Sequence, residues 1–400
     1  MSSQPDDVAA MARPEPLVTE EEMLGRLEAM VPSLRQRSAE TETLRHLPQA
    51  TIDEAIATGF VGAFRPRRFG GSGLGLSTLA NGARILAHGC GSSAWTIVFL
   101  AQHAWVLGRM PEEFQQDLMG GGKLPLTAGA LARVGTAKKV DGGYLVSGRV
   151  DWNSGIHHAE WTSVKAIIND QLHVCYIPVA DTRRDDGWHT SGMRGTSSDA
   201  FVATDVFVPE HRAVSAALLA QVNPDPHIEA EPFLAYPYLQ TVAITCSAVV
   251  LGMAEAAVEL FGERIKTRVL AFSGEAKQVD QPFAQMRLGE VILRLRMARE
   301  LWDATIRKLD EISGEGAGLN EDQRIDICGS CAIVVQTCRD LVNHLMNSAG
   351  GSSYFLDSPL QRIQRDVEVL KSHAFFDWDR VAQLRGKITL GIAPNPTDLF

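Results

Sequence analysis

Residues 150–161 read VDWNSGIHHAEW and lie between two runs with strand character, GGYLVSGRV and TSVKAII. The stretch offers a hydroxyl at Ser154, an indole at Trp152 and imidazoles at His157 and His158, around an Asn-Ser-Gly corner. Asn-Ser-Gly is ordinary turn chemistry, so residue types alone favour a strand-end turn with a buried Trp and solvated loop histidines after it. Two further histidines occupy apolar, helix-like stretches: His103 in SSAWTIVFLAQHAWVLGRM and His373 in KSHAFFDWD, with Asp377 four residues on. An imidazole ionises near pH ~6.5 and can take a phenolic proton near neutrality. A lone histidine on an apolar helix is, however, more often a satisfied core residue. GMRGTSSDAF gathers donors at Arg194, Thr196 and Ser198, with Trp188 ten residues before Ser198, and a tight turn would also explain it. Arg268 and Arg365 carry the planar fork that suits phosphate, and Arg365 is equally able to pair with Asp366 or another acid. Gly350 and Gly351 follow a helical stretch, where a C-cap also accounts for them. Cys328, Cys331 and Cys338 fall in one apolar helical run with no second ligand pair, which reads as small core residues and not as a metal or redox site.

These residues need a scaffold, and the chain supplies one in three parts. Its 400 residues exceed one ordinary core. A net charge of -10 argues against a nucleic-acid surface, and no uninterrupted apolar run reaches the ~20 residues of a membrane helix. The acidic, proline-bearing start lacks the pattern of a signal peptide, so residues 1–16 are expected to be a disordered leader and the protein cytoplasmic. Residues 17–123 read as a helical domain, with Thr19 as the first N-cap. Residues 124–225 carry short alternating runs broken by Gly, Asp and Asn, which is strand patterning. Residues 226–400 contain four long amphipathic stretches, as in a bundle, the last running unbroken through PLQRIQRDVEVLKSHAFFDWDRVAQLRGKI. No G-x-G-x-x-G follows a strand, so no nicotinamide site is evident.

The order of helices, inserted β domain and helical bundle resembles the acyl-CoA dehydrogenase superfamily over nearly the whole chain. GGYLVSGRVDWNSGIHHAEW, GMRGTSSDAFVATDVFVPEHR and GGSSYFLDSPLQRIQRD are similar to its motifs. The carboxylate base of the dehydrogenases has no convincing counterpart in the last helices. KSHAFFDWD, CGSSAWTIVFLAQHAW and WNSG resemble instead the two-component flavin-dependent aromatic hydroxylases, such as the oxygenase components acting on p-hydroxyphenylacetate and on the secosteroid phenol. The resemblance implies an N-terminal helical domain, a central β-barrel-like domain and a C-terminal four-helix bundle, assembled as a homotetramer. It implies an oxygenase that holds no permanent cofactor. Reduced FMN or FAD comes as a diffusible cosubstrate from a separate NAD(P)H-dependent reductase, reacts with O2 at its C4a carbon, and delivers one oxygen atom to a small aromatic substrate.

Residue by residue, the resemblance gives Ser154 the hydroxyl against flavin N5, Trp152 a dry wall and Gly155 a close approach to the ring. Trp188 would cover the ring, and Thr196 and Ser198, with Arg194, would donate to its edges or a phosphate. Family members more often have Gly where this chain has Ser197. Arg268 would reach the flavin of a neighbouring subunit, Arg365 is a second phosphate ligand, and Gly350 and Gly351 let the backbone turn near the flavin. His373 matches the family's histidine and is the expected base, with His103 next. A polar substrate position that is often Ser falls in PLTAGALA, at Thr127, Ala128 and Gly129, so an indole-like ring rivals a phenol. Competing readings are an acyl-CoA dehydrogenase-like or nitroalkane oxidase-like enzyme with tightly bound FAD, and a non-catalytic flavin-binding protein.

Overall fold

A computed structural model describes residues 18–130, 133–220, 231–314, 318–395 and 398. The expected leader and most of the linker QVNPDPHIEAEP lie outside the described residues.

The N-terminal helices are α1 (Glu20–Leu44), α2 (Gln49–Ala57), α3 (Leu76–Ala87), α4 (Gly91–Leu107) and α5 (Glu112–Met119). Thr19 starts α1 with a reciprocal box: its hydroxyl accepts the Glu22 N–H at 3.1 Å, and the Glu22 carboxylate accepts the Thr19 N–H at 2.9 Å. α4 is buried on nearly every side, as its apolar surface requires.

Seven strands follow: β1 (Val134–Val140), β2 (Gly143–Val150), β3 (Trp161–Ile168), β4 (Gln171–Pro178), β5 (Arg183–Asp185), β6 (Ala200–Pro209) and β7 (Ala213–Ser215). They form one sheet in the order β5-β6-β2-β1-β3-β4-β7, in which only β1 and β3 are parallel neighbours. Two-residue turns close the hairpins at Asp141-Gly142 and Asn169-Asp170, and Gly142, Asn169 and Asp170 take the positive φ that such turns need. On β3, Thr162, Val164, Ala166 and Ile168 are buried, which turns Trp161, Ser163, Lys165 and Ile167 to the opposite face.

A short α6 (Ala217–Ala220) precedes the bundle of α7 (Tyr238–Thr267), α8 (Pro282–Gly314), α9 (Glu321–Ala349), α10 (Pro359–Leu370) and α11 (Trp378–Thr389). α7 is long and apolar enough to cross a membrane, but 89% of its most apolar window is buried among its neighbours. The last expected long helix is in fact two, separated by a turn at 371–377. Phe375 and Phe376 turn into the core there, and the Asp377 carboxylate caps α11 by accepting the Arg380 N–H at 3.3 Å. Acidic side chains favour such caps over helix interiors. His373 therefore sits in a turn and not on a helix. Cys328, Cys331 and Cys338 face the core along α9, and burial pushes all three thiols up.

Helices α1, α3 and α4 share one apolar core with α7–α10, while the sheet has its own. Two carboxyl groups, half-buried Glu255 and buried Asp366, tie elements across these cores. Glu255 of α7 binds Arg84 and His88 beside α3 at 2.7 and 2.9 Å and Arg299 of α8 at 3.1 Å. Burial pushes Glu255 up, but these partners outweigh it and hold the carboxyl at about 2. Asp366 of α10 accepts the Met193 N–H from the β unit and lies against the start of α4, where a Cβ on Gly91 would be 3.4 Å from Oδ2. Burial raises Asp366 to about 7, against the lowering effect of the Met193 N–H and Arg365.

A carboxyl raised by folding contributes stability that is fully present below its unfolded pKa near ~4 and is lost as pH rises through its folded value. Asp366→Asn keeps an acceptor for Met193 but cannot titrate. The wild type should lose up to ~4 kcal/mol relative to Asp366→Asn between pH ~4 and ~8. Chemical unfolding of both proteins across that range measures it; histidine titration is common to both and cancels. Parallel stability curves would show that Asp366 is an ordinary ionised carboxylate.

Candidate active site

A cavity of about 590 Å3 lies where α4, the outward face of β3 and β4, the turns at 152–155 and 188–198, and the turn at 371–377 meet. His103, Ser154, Trp188, Thr196, Ser198 and His373 all line it, as does Trp152.

A run of hydroxyls crosses one wall. Trp95 Nε1 donates to Ser154 Oγ at 2.9 Å, Ser154 and Ser198 are 2.8 Å apart, Ser198 and Thr196 are 2.7 Å apart, and Thr196 donates to the Met193 carbonyl at 2.9 Å. The two ends set the direction. The Met193 carbonyl can only accept, so the Thr196 proton is committed, then that of Ser198, then that of Ser154. Ser154 already receives the indole N–H. It can accept one further hydrogen bond from the cavity, and it has no proton left to give.

The two histidines have opposite polarity. His103 Nδ1 lies 2.7 Å from the Phe99 carbonyl, so Nδ1 carries the proton and Nε2 presents a bare lone pair. That nitrogen faces Gly129, at 2.9 Å from where a Cβ would stand, and Ser163 Oγ is 3.6 Å from the same point. Burial lowers the His103 pKa and keeps the ring neutral. His373 Nδ1 instead accepts a long bond, 3.4 Å, from the Phe375 N–H, which leaves Nε2–H as a donor. Burial, helped by the charge of Arg380, lowers His373 to about 4. Trp95 meets His373 edge-on at 5.4 Å between centroids and stacks on Phe99 at 4.8 Å, giving the cavity an aromatic wall.

Comparison with known proteins shows which family the chain belongs to. Residues 244–378 match the family model described as acyl-CoA dehydrogenase, C-terminal domain. The chain is 32% identical to the pigment production hydroxylase of Rhodococcus sp. (strain ATCC 21145), covering 94% of this chain and 98% of that one. It is 31% identical to the flavin-dependent monooxygenase, oxygenase subunit HsaA, of Rhodococcus jostii (strain RHA1), covering 93% and 99%. XiaF from Streptomyces sp., solved with FADH2 and glycerol, superposes with a TM-score of 0.88 at 26% identity, covering 95% of this chain and 98% of that one. The chain belongs to the flavin-dependent monooxygenases, as an oxygenase component with the acyl-CoA dehydrogenase fold.

Several residues of this oxygenase stand differently from their sequence-based roles. Trp152 is 67% exposed at the cavity mouth with φ 63°, so the buried indole of the wall is Trp95. Gly155 spends its freedom on packing: at φ 79° its N–H donates to the Thr196 carbonyl at 2.8 Å, and a Cβ would stand 3.2 Å from Thr96 Cγ2. Ser197 has φ 48°, a region glycine enters without strain, and its buried hydroxyl has no partner among the described residues; Arg194 Nε is likewise unpaired. Trp188 Nε1 donates to the Met193 carbonyl at 2.8 Å. Arg365 lies outside the cavity, bound to Glu42, to the Ser191 carbonyl at 2.6 Å and to Gln361 at 2.7 Å. Arg268, Gly350 and Gly351 also lie outside it. Arg268 binds the Ser348 carbonyl at 2.9 Å and Gln278 at 3.0 Å, so close to Gly350 that a Cβ there would be 1.9 Å from Nη2. His157 stacks on His46 at 3.8 Å and is exposed in its turn, as a solvated loop histidine is, whereas half-buried His158 is lowered to about 4 by burial and by the neighbouring His157 and His46.

Sequence reasoning missed Trp95, Ser163, Lys165 and Tyr176. The period-two pattern of β3 and β4 puts the last three on one face, without showing that the face is covered. Thr127 pairs with Trp161, which brings Gly129 of PLTAGALA beside the Ser163 hydroxyl of β3.

Proposed function

We propose that this oxygenase hydroxylates a small aromatic ring carrying a phenolic hydroxyl or an indole-type N–H, with reduced FMN or FAD supplied by a separate NAD(P)H-dependent reductase. The observation that carries the reading is the sorted polarity of one largely apolar space: Ser154 accepts, His103 accepts and His373 donates.

The residues present fit a reduced flavin. Its N5–H is a donor, and Ser154 offers only an acceptor on that side; the N5 of oxidised flavin is itself an acceptor and would face a lone pair. Ser198 and Thr196 act as positioning residues that hold the Ser154 proton away. The buried Ser197 hydroxyl and Arg194 Nε are unpaired groups that a ring carbonyl or phosphate would satisfy. Trp188 and Trp95 would cover the ring, and Trp152 at the mouth would close over it. Bound reduced flavin supplies, with O2, the electrophilic oxygen that an electron-rich ring carbon attacks.

The chain's own residues prepare that carbon. His103 Nε2 accepts the hydrogen bond of the ring hydroxyl or N–H, with the Ser163 hydroxyl beside it. His373 Nε2–H would donate to an oxygen of a bound molecule. Trp95, Phe99, Leu370 and Phe375 exclude water, which strengthens each of these bonds.

Assembly as a homotetramer belongs to the same reading. Phe283, Met286, Leu293 and Met297 make an exposed apolar stripe along α8, which supports pairing of copies through the bundle. The cluster of Arg268, Gly350 and Gly351 lies outside this chain's own cavity, as a group serving a neighbouring copy's flavin must.

Anaerobic titration tests the flavin site. The purified protein should be nearly colourless and bind reduced flavin more tightly than oxidised flavin. Ser154→Ala should weaken reduced-flavin binding roughly 5- to 30-fold, the worth of one hydrogen bond of ~1–2 kcal/mol, with little effect on oxidised flavin. Stoichiometric tight FAD in the wild type, or equal losses for both redox states, would refute it. The histidines are separated by single-turnover product analysis with a phenol. His103→Ala should cut hydroxylation about 100- to 10,000-fold with hydrogen peroxide released in its place, and His373→Ala should cost less. The reverse ranking would make His373 the base.

A further inference from the structure

One charged side chain in the cavity has no task in this scheme. Lys165 faces the cavity from β3, one pleat beyond Ser163, with Val174 and Tyr176 of β4 as their cross-strand neighbours. It is half-buried, and burial lowers its pKa. Among the described residues no carboxylate lies within ion-pair distance of Lys165 and its ammonium makes no hydrogen bond. The chain has 48 acidic residues against 38 basic ones, so acids for pairing are plentiful. The carboxylate in the lining, Asp377, is occupied in capping α11. A partly desolvated ammonium without a counterion is unfavourable, and an anionic ligand is what offsets that cost.

We propose that Lys165 determines specificity by binding a carboxylate on the aromatic substrate. The inference rests on the reading of the cavity as an aromatic hydroxylation site, and it narrows the substrate class to aromatic acids. Geometry sets the shape. Side chains two residues apart on one strand are about 7 Å apart. A ring hydroxyl or N–H held at His103 and Ser163 therefore leaves a short acidic arm on the far side of the ring to reach Lys165. Val174 stands across the strand from Lys165, and the lining also includes Val106, Tyr176, Tyr238 and Val242, with Gln102 as a neutral amide. A carboxylate entering that end would find the Lys165 ammonium as its charged partner there, and a charge-assisted bond in such surroundings is among the strong ones.

Matched aromatic pairs test this directly: p-hydroxyphenylacetate against p-cresol, and indole-3-acetate against 3-methylindole. Binding is read by quenching of tryptophan fluorescence in the anaerobic complex with reduced flavin, and turnover by product and peroxide yields. The wild type should bind the acid of each pair roughly 10- to 100-fold more tightly than its neutral partner, the size of one charge-assisted hydrogen bond. Lys165→Gln should abolish that preference while leaving neutral-ring and reduced-flavin binding unchanged, and Lys165→Arg should restore much of it. In turnover the loss should appear in KM more than in kcat. A wild type that prefers and hydroxylates the neutral rings overturns the carboxylate assignment and leaves the oxygenase reading intact. A Lys165→Gln protein whose main defect is in reduced-flavin binding overturns it as well, since Lys165 then serves the flavin. Peroxide alone from every ring compound overturns the hydroxylation reading itself.

Discussion

The carboxylate of Asp366 accepts the Met193 N–H from the β unit while lying against Gly91, where α4 begins. Each of the three elements it joins carries part of the site. The Met193 turn leads into Thr196 and Ser198, α4 bears Trp95 and His103, and α10 runs into the turn with His373. A carboxyl group suits the junction because one oxygen can accept the N–H while the other lies against the start of α4. Close approach is what permits it. Gly192 lies so near α10 that a Cβ would fall 2.1 Å from the Arg365 carbonyl oxygen, and Gly91 so near α7 that one would fall 2.3 Å from Met253 Sδ. Arg362 and Arg365, both bound to Glu42 of α1, place positive charge behind the buried carboxylate. Arg365, read from the sequence as a phosphate ligand or the partner of an acid, thus pairs with an acid at this junction.

The hydroxyl run depends on backbone that is itself strained. Trp152, Met193 and Ser197 all take positive φ, at 63°, 52° and 48°, a conformation that costs a non-glycine residue of order 1 kcal/mol or more. In return the turns at 152–155 and 193–198 bring Ser154 and Ser198 face to face. Backbone bonds brace them: Gly155 N–H to the Thr196 carbonyl at 2.8 Å, and Asn153 N–H to the Asp199 carbonyl at 3.2 Å. Asn153 adds a side-chain bond to the Val150 carbonyl at 2.8 Å. The Asn-Ser-Gly corner is therefore both ordinary turn chemistry and the support that aims a hydroxyl.

The two turn motifs were legible in the sequence because hydroxyls and glycines stand out between strands. The three-part order of helices, strands and helices was legible from its change of period. Trp95 was not, because α4 is apolar on all sides and no face of it announces a site. Ser163 and Lys165 were hidden for the opposite reason: a polar face on an alternating strand reads as a solvated face, and only tertiary structure shows that α4 and the 371–377 turn cover it. The break before α11 was obscured because Val369, Leu370, Phe375 and Phe376 keep an apolar pattern through it, while the element that ends the helix is a cap at Asp377, a residue also able to sit on a helix surface.

Dryness and base strength oppose each other in this cavity. The apolar walls that keep water from a reactive oxygen also lower the pKa of His103 and His373, because a buried imidazolium loses its solvation. The same burial raises the pKa of a phenol, whose ionised form is the charged one. In the proposed reaction, complete transfer of a substrate proton to His103 would create two charges where neither is well solvated, so a neutral hydrogen bond to Nε2 would be the lower-energy resting arrangement. Charge then needs to move only as the ring carbon attacks, when electron density leaves the ring oxygen or nitrogen and the proton becomes more acidic. A fixed Nε2 lone pair, locked by the Phe99 carbonyl on the other side of the ring, is suited to that timing because it requires no reorientation when the proton leaves. A flexible histidine with a free choice of tautomer would have to find its orientation during the reaction, and the backbone of α4 removes that choice beforehand.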